Sequence, residues 1–124
     1  MHLELIAIGA GRDGTVSLNE IINEIFRINK EKSSSYHEYA AHDCYNNFSE
    51  YRETGSKRAL NNCNSIFKNC EHKAIVGNGY AFIVPYLTDF FRDQLKLIHL
   101  QRKNKDAWVK SYITNCIEFP EHFG

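Results

Sequence analysis

Arg12 stands inside the glycine-rich stretch Gly9-Ala10-Gly11-Arg12-Asp13-Gly14-Thr15, and this grouping of residue types suits one task above others, the holding of an anion. Glycines let the backbone turn tightly and bring its amide groups to a ligand with no Cβ in the way. The Arg12 guanidinium supplies charge-assisted donors, and the hydroxyls of Thr15 and Ser17 add two more. If a helix follows the loop, its first-turn amides and its dipole also favour a negative group. A phosphate or sulfate is then the expected occupant, held by Gly11, Arg12, Gly14, Thr15, Val16 and Ser17. Asp13 must point outward or pair with a cation, because a carboxylate inside an anion cradle repels its ligand.

A loop of this kind needs a strand to enter it and a helix to leave it. Leu3-Glu4-Leu5-Ile6-Ala7-Ile8 is an apolar run of strand type, and beyond the glycines Leu18, Ile21, Ile22, Ile25 and Phe26 recur at three-and-four spacing, the pattern of an amphipathic helix. That helix runs out near Asn29-Lys30, and Ser33-Ser34-Ser35 makes a polar break. Two helices are expected next, one carrying Ala40, Ala41, Cys44, Phe48 and Tyr51, the other Ala59, Leu60, Cys63, Ile66, Phe67 and Cys70. Thr54-Gly55-Ser56 separates them, with Ser56 as N-cap of the second. Lys73-Ala74-Ile75-Val76-Gly77 reads as a second strand ending in Gly77-Asn78-Gly79, and a helix over 86–91 follows Pro85. Lys96-Leu97-Ile98-His99-Leu100 gives a third strand, and a last helix starts at about Asn104 as cap and continues to roughly Asn115.

Short continuous apolar strands separated by helices predict an α/β fold, a three-layer α/β/α arrangement with a short parallel sheet covered on both faces. In such a sheet ligands sit beyond the carboxyl ends of the strands. All three predicted strands end there in glycine or positive charge, at 9–15, 77–79 and 102–105. Three strands make a thin sheet with exposed edges, so a homodimer is one expected assembly.

The chain of 124 residues, 43% hydrophobic and with 15 basic against 15 acidic side chains, has the composition of one ordinary globular domain. Zero net charge argues against nucleic acid as a partner, so anion recognition must be local. No apolar run approaches the roughly 18 residues of a membrane span, and the first run is interrupted by Glu4 and lacks the basic flank of a secretion signal. The expected compartment is the cytoplasm, without membrane attachment. Cys44, Cys63, Cys70 and Cys116 form no C-x-x-C pair and read as reduced core thiols. His37, His42, Cys44, Cys63, Cys70 and His72 lack the tight ligand spacing of structural zinc, and no metal is assigned.

The spacing Gly9-x4-Gly14 resembles the phosphate loop of nucleotide-binding proteins, but Thr15 stands where the lysine of an ATP- or GTP-hydrolysing member would be. The order Gly9-x-Gly11-Arg12-x-Gly14-Thr15 instead resembles the sulfotransferase family. There the corresponding loop holds the 5'-phosphosulfate of 3'-phosphoadenylyl sulfate (PAPS). A second motif lies at Leu97-Ile98-His99-Leu100-Gln101-Arg102: the family carries an apolar strand, then an arginine, a short turn and a helix bearing a serine, and the Arg and Ser bind the 3'-phosphate. Arg102 takes the arginine's place. Lys110 occupies the usual serine position and Ser111 the next one, about 100° further round the helix. Val76-Gly77-Asn78-Gly79-Tyr80, followed by Val84-Pro85-Tyr86-Leu87, is similar to the family's central strand and following helix. The likeness runs from Leu3 to about Ile113, and because family domains continue past the second motif it implies a short or C-terminally incomplete member.

The resemblance implies a P-loop-like fold and transfer of a sulfuryl group from PAPS to a hydroxyl or amine, without a metal. Arg12 and the amides of Gly14, Thr15 and Val16 would stabilise charge on the bridging oxygen. The acceptor, a small molecule or carbohydrate, must lose a proton, and Glu38, or its neighbour His37, is the expected base. The alternative from another class is a non-catalytic nucleotide-binding or protein-interaction module on the same scaffold. A P-loop kinase or NTPase is disfavoured by the missing lysine.

Overall fold

The computed structural model of the chain describes residues 2–9, 14–101 and 103–118, with only the backbone of Tyr112 and Asn115. Four strands, β1 (Leu5–Ile8), β2 (Ser35–His37), β3 (Ala74–Gly77) and β4 (Lys96–His99), form one sheet in the order β2-β3-β1-β4. Every pairing is parallel, so all four strands end at the same edge. Between them run α1 (Thr15–Ile28), α2 (Ala41–Thr54), α3 (Lys57–Lys68) and α4 (Val84–Phe91), and α5 (Lys105–Glu118) follows β4.

Alternation along β1 and β3 divides the core in two. Ile6, Ile8 and Ile75 face α2, α3 and α4, where Phe67, Tyr80, Tyr86 and Leu87 are fully buried. Ala7, Ala74 and Val76 face α1 and meet Ile22, Leu18 and Phe26. The first cluster is much the larger, and each of its big side chains contributes about 1.5–3 kcal/mol through burial. Helix boundaries follow local chemistry. The Ser56 hydroxyl accepts from the Ala59 amide at 3.2 Å, Asn104 Oδ1 accepts from the Ala107 amide at 3.0 Å, and Pro85 sits in the first turn of α4.

Four expectations need correction. The sheet has a fourth strand: β2 lies at one edge beside β3, although Ser-Tyr-His offers no apolar run. The last strand is not buried, since all four residues of β4 are exposed at the opposite edge. And the apolar stripe of α1 is only half covered: Ile22 is buried, whereas Ile21, Ile25 and Ile28 face outward. The last helix also runs three residues beyond Asn115, to Glu118.

Cys44, Cys63 and Cys70 are buried free thiols and Cys116 is half-buried. Among the described residues, no helix is long and apolar enough to cross a membrane, and no group of three His, Cys, Asp or Glu side chains is placed to hold a metal ion.

Candidate active site

The glycine-rich stretch leaves β1, which lies between β3 and β4. At that point the Gly9 amide donates to the Gly77 carbonyl at 3.5 Å and the Leu100 amide to the Ile8 carbonyl at 2.8 Å, so the exits of β1, β3 and β4 are tied together. Gly11, Arg12 and Asp13 lie outside the described residues, as does Arg102. The described chain resumes at Gly14, the N-cap of α1, with φ +86°, a left-handed conformation that favours glycine.

Gly14 has no side chain with which to cap α1, and the first turn of that helix holds no carboxylate. The amides of Thr15, Val16 and Ser17 have no intrahelical acceptor by the geometry of a helix start, and the positive end of the dipole adds to them. Val16 and Ser17 are exposed, while Thr15 is 5% exposed. The Thr15 hydroxyl lies 3.1 Å from His37 Nε2. When that nitrogen carries a proton it donates to the Thr15 oxygen and leaves the hydroxyl hydrogen free for an anion. In the other tautomer the hydroxyl donates to the imidazole instead.

His37 reaches Thr15 because of strand parity. It pairs in register with Val76, on the α1 face of the sheet. Glu38, the next residue, belongs to the other face. Its amide extends the β2–β3 ladder to the Val76 carbonyl at 2.8 Å, and its backbone then turns at φ +58°. The Glu38 carboxylate accepts from the Asn78 amide at 2.6 Å and rests against the glycine turn after β3. A Cβ on Gly77 would lie 2.6–2.8 Å from the Glu38 carboxyl atoms, and one on Gly79 would lie 2.8 Å from the Ala41 Cβ and 3.2 Å from Glu38 Oε2. Gly77 and Gly79 are therefore the space in which the carboxylate and the start of α2 fit. Ala40, between them in sequence, is also left-handed, at φ +46°. Two non-glycine residues in this conformation within three positions concentrate backbone strain next to the carboxylate. The Asn78 side-chain oxygen is buried and has no hydrogen-bond partner among the described residues.

The structure thus brings Gly14, Thr15, Val16, Ser17, His37 and Glu38 to one edge, and separates the two proposed bases by role: His37 serves the helix start, Glu38 the turn after β3. Lys110 and Ser111 lie on the second turn of α5, Lys110 exposed and Ser111 half-buried, and α5 packs extensively on no other described element. Sequence reasoning missed β2 itself and the seat it gives Glu38. The one available signal was the pair of glycines at 77 and 79, read as a turn and not as room for a carboxylate. No family model, curated protein or solved structure matches the chain.

Proposed function

We propose that this chain is a sulfotransferase-like, P-loop-like domain that binds PAPS at the β1–α1 turn and transfers its sulfuryl group to a hydroxyl or amine acceptor. The observation that carries the reading is the parallel sheet with β1 in its interior. Its strand ends bring Gly9, the helix start at Gly14, Glu38, the Gly77–Gly79 turn and Leu100-Gln101 to one edge. The donor set also fits a dianionic group: three first-turn amides, a glycine N-cap and no carboxylate in that turn.

In this reading the amides of Thr15 and Val16, with the Arg12 guanidinium, hold the leaving oxygen as the acceptor oxygen bonds to sulfur and the sulfur–oxygen bridge breaks. Glu38 takes the acceptor's proton. His37 orients the Thr15 hydroxyl, a positioning role. Arg102, with Lys110 or Ser111, meets the 3'-phosphate, and no metal enters. The buried thiols Cys44, Cys63 and Cys70 accord with a reducing, cytoplasmic setting.

The test is calorimetry with adenosine 3',5'-bisphosphate in the absence of magnesium. Binding is expected, and Arg12→Ala and Arg102→Ala should each weaken it by about 1.5–3 kcal/mol, the range for hydrogen bonds to charged groups. Unchanged affinity in both variants would reject the donor site, and tight magnesium-dependent ATP binding would point to an NTPase. A second reading, a non-catalytic interaction module or homodimer, draws on the outward-facing Ile21, Ile25 and Ile28 of α1 and Leu97 and Ile98 of β4. No nucleotide binding at all would favour it.

A further inference from the structure

A hollow of about 440 Å³ opens between α2 and the short 3-10 helix over Gly79–Ile83, lined by Tyr45, Phe48, Ser49, Arg52, Glu53 and Phe82. Tyr45 and Phe82 stand edge to face with ring centroids 5.7 Å apart, yet they are 43% and 67% exposed. Large rings that brace each other and remain in solvent form a ready stacking surface. Beside them, the side chains of Ser49 and Glu53 make no hydrogen bond with any described residue, and the Arg52 side chain is engaged only through its guanidinium, 5.9 Å over the Phe48 ring. The Ser49 hydroxyl, the Glu53 carboxylate and the N–H donors of the Arg52 guanidinium, whose face lies over Phe48, therefore remain for a ligand, and their charges sum to zero.

The two elements that wall the hollow both start beside Glu38. Ala41 and Gly79, which meet next to the Glu38 carboxylate, begin the two elements that carry the rings. Tyr45 is one α-helical turn beyond Ala41 and Phe82 one 3-10 turn beyond Gly79, so the rings stand about 5–6 Å further out along each element.

We propose that this hollow receives the acceptor, and that the acceptor is a neutral oligosaccharide. The proposal rests on the transferase reading above and names its substrate class. A sugar ring presents an apolar face to an aromatic ring and hydroxyls around its rim, which matches two exposed rings beside unspent polar groups. A phenol or a lipid would require an enclosed apolar lining, and this one is open and rich in polar side chains. Because the rings lie a turn beyond Ala41 and Gly79, the residues that flank the Glu38 carboxylate, one sugar on Tyr45 and Phe82 leaves the reacting hydroxyl to a neighbouring sugar, so at least two linked rings are needed.

The test is saturation-transfer NMR and titration of the full chain, with adenosine 3',5'-bisphosphate present, using cellotriose, maltotriose and chitotriose, and 4-nitrophenol as the contrasting probe. At least one trisaccharide should bind. Tyr45→Ala and Phe82→Ala should each weaken it about fivefold or more, the scale of one lost ring contact, with bisphosphate affinity unchanged. Both side chains are well exposed, so both variants should fold. Absence of trisaccharide binding, binding indifferent to the two rings, or ring-dependent binding of 4-nitrophenol alone would overturn the proposal. Ring-dependent trisaccharide binding in a chain that ignores the bisphosphate would remove the donor reading and leave the saccharide site standing.

Discussion

Glu38 is held at both ends: its amide belongs to the β2–β3 ladder and its carboxylate caps the Asn78 amide. Glutamine keeps an acceptor oxygen for that amide but cannot take a proton. Glu38→Gln should therefore stay folded and bind adenosine 3',5'-bisphosphate normally. Its acceptor-dependent release of that product from PAPS should fall about 10²–10⁴-fold, the usual worth of a positioned base. A rate within threefold of the parent would exclude Glu38 as the base. Gly77→Ala acts on the same group by steric means, since the new methyl would stand 2.6 Å from the Glu38 carboxyl carbon. A loss of about 1–3 kcal/mol in urea unfolding is expected, with the acceptor reaction impaired and donor affinity retained. Ala40→Gly should move the other way. A left-handed alanine costs roughly 1–2 kcal/mol and glycine returns only part of that gain as chain entropy, so a stabilisation of up to about 1 kcal/mol is expected.

At the level of elements, β2 shows how a strand without an apolar run is kept in place. Asn23 on α1 donates through Nδ2 to the Ser35 carbonyl and accepts from the Ser35 amide, both at 2.8 Å, and Asn19 accepts from the Ser35 hydroxyl at 2.6 Å. Two asparagines on a helix thus complete the outer edge of a three-residue strand and fix where His37 emerges. Asn23→Ala strands a buried amide and a buried carbonyl, so a loss of about 1–3 kcal/mol is expected, with the amides of β2 exchanging with solvent faster than those of β3. Equal exchange in the two strands would show that β3 alone holds β2. Such long-range pairing explains what the sequence concealed: Asn19 and Asn23 are polar residues between the apolar positions of an amphipathic helix, and nothing near Ser35 marks them as its partners. The helices were legible because their signals are local, Ser56, Asn104 and Pro85 each acting within a few residues. The helix start at Thr15 and the turn at 77–79 were legible as well. The left-handed backbone at Glu38 was not, because it depends on the distant glycines that make room for its side chain.

For the whole molecule, the strand order sets a gradient of stability. β1 and β3 have neighbours on both sides and helices on both faces, whereas β4 is exposed along its length and α5 packs little. Hydrogen exchange should be slowest in β1 and β3 and fastest in β4 and α5, and the reverse order would contradict this placement of the core. The three thiols on the α2–α4 side belong to the slow part: Cys44, Cys63 and Cys70 have no measurable exposure. Burial pushes the Cys70 thiol up, and contact with Cys63 followed by burial does the same to Cys44, so neither is an available nucleophile in the native state. The polypeptide thereby carries its own clock. An alkylating reagent such as iodoacetamide should modify Cys116 at once and the other three only as often as the larger core opens, so the interval between the first adduct and the rest measures how long the native form survives.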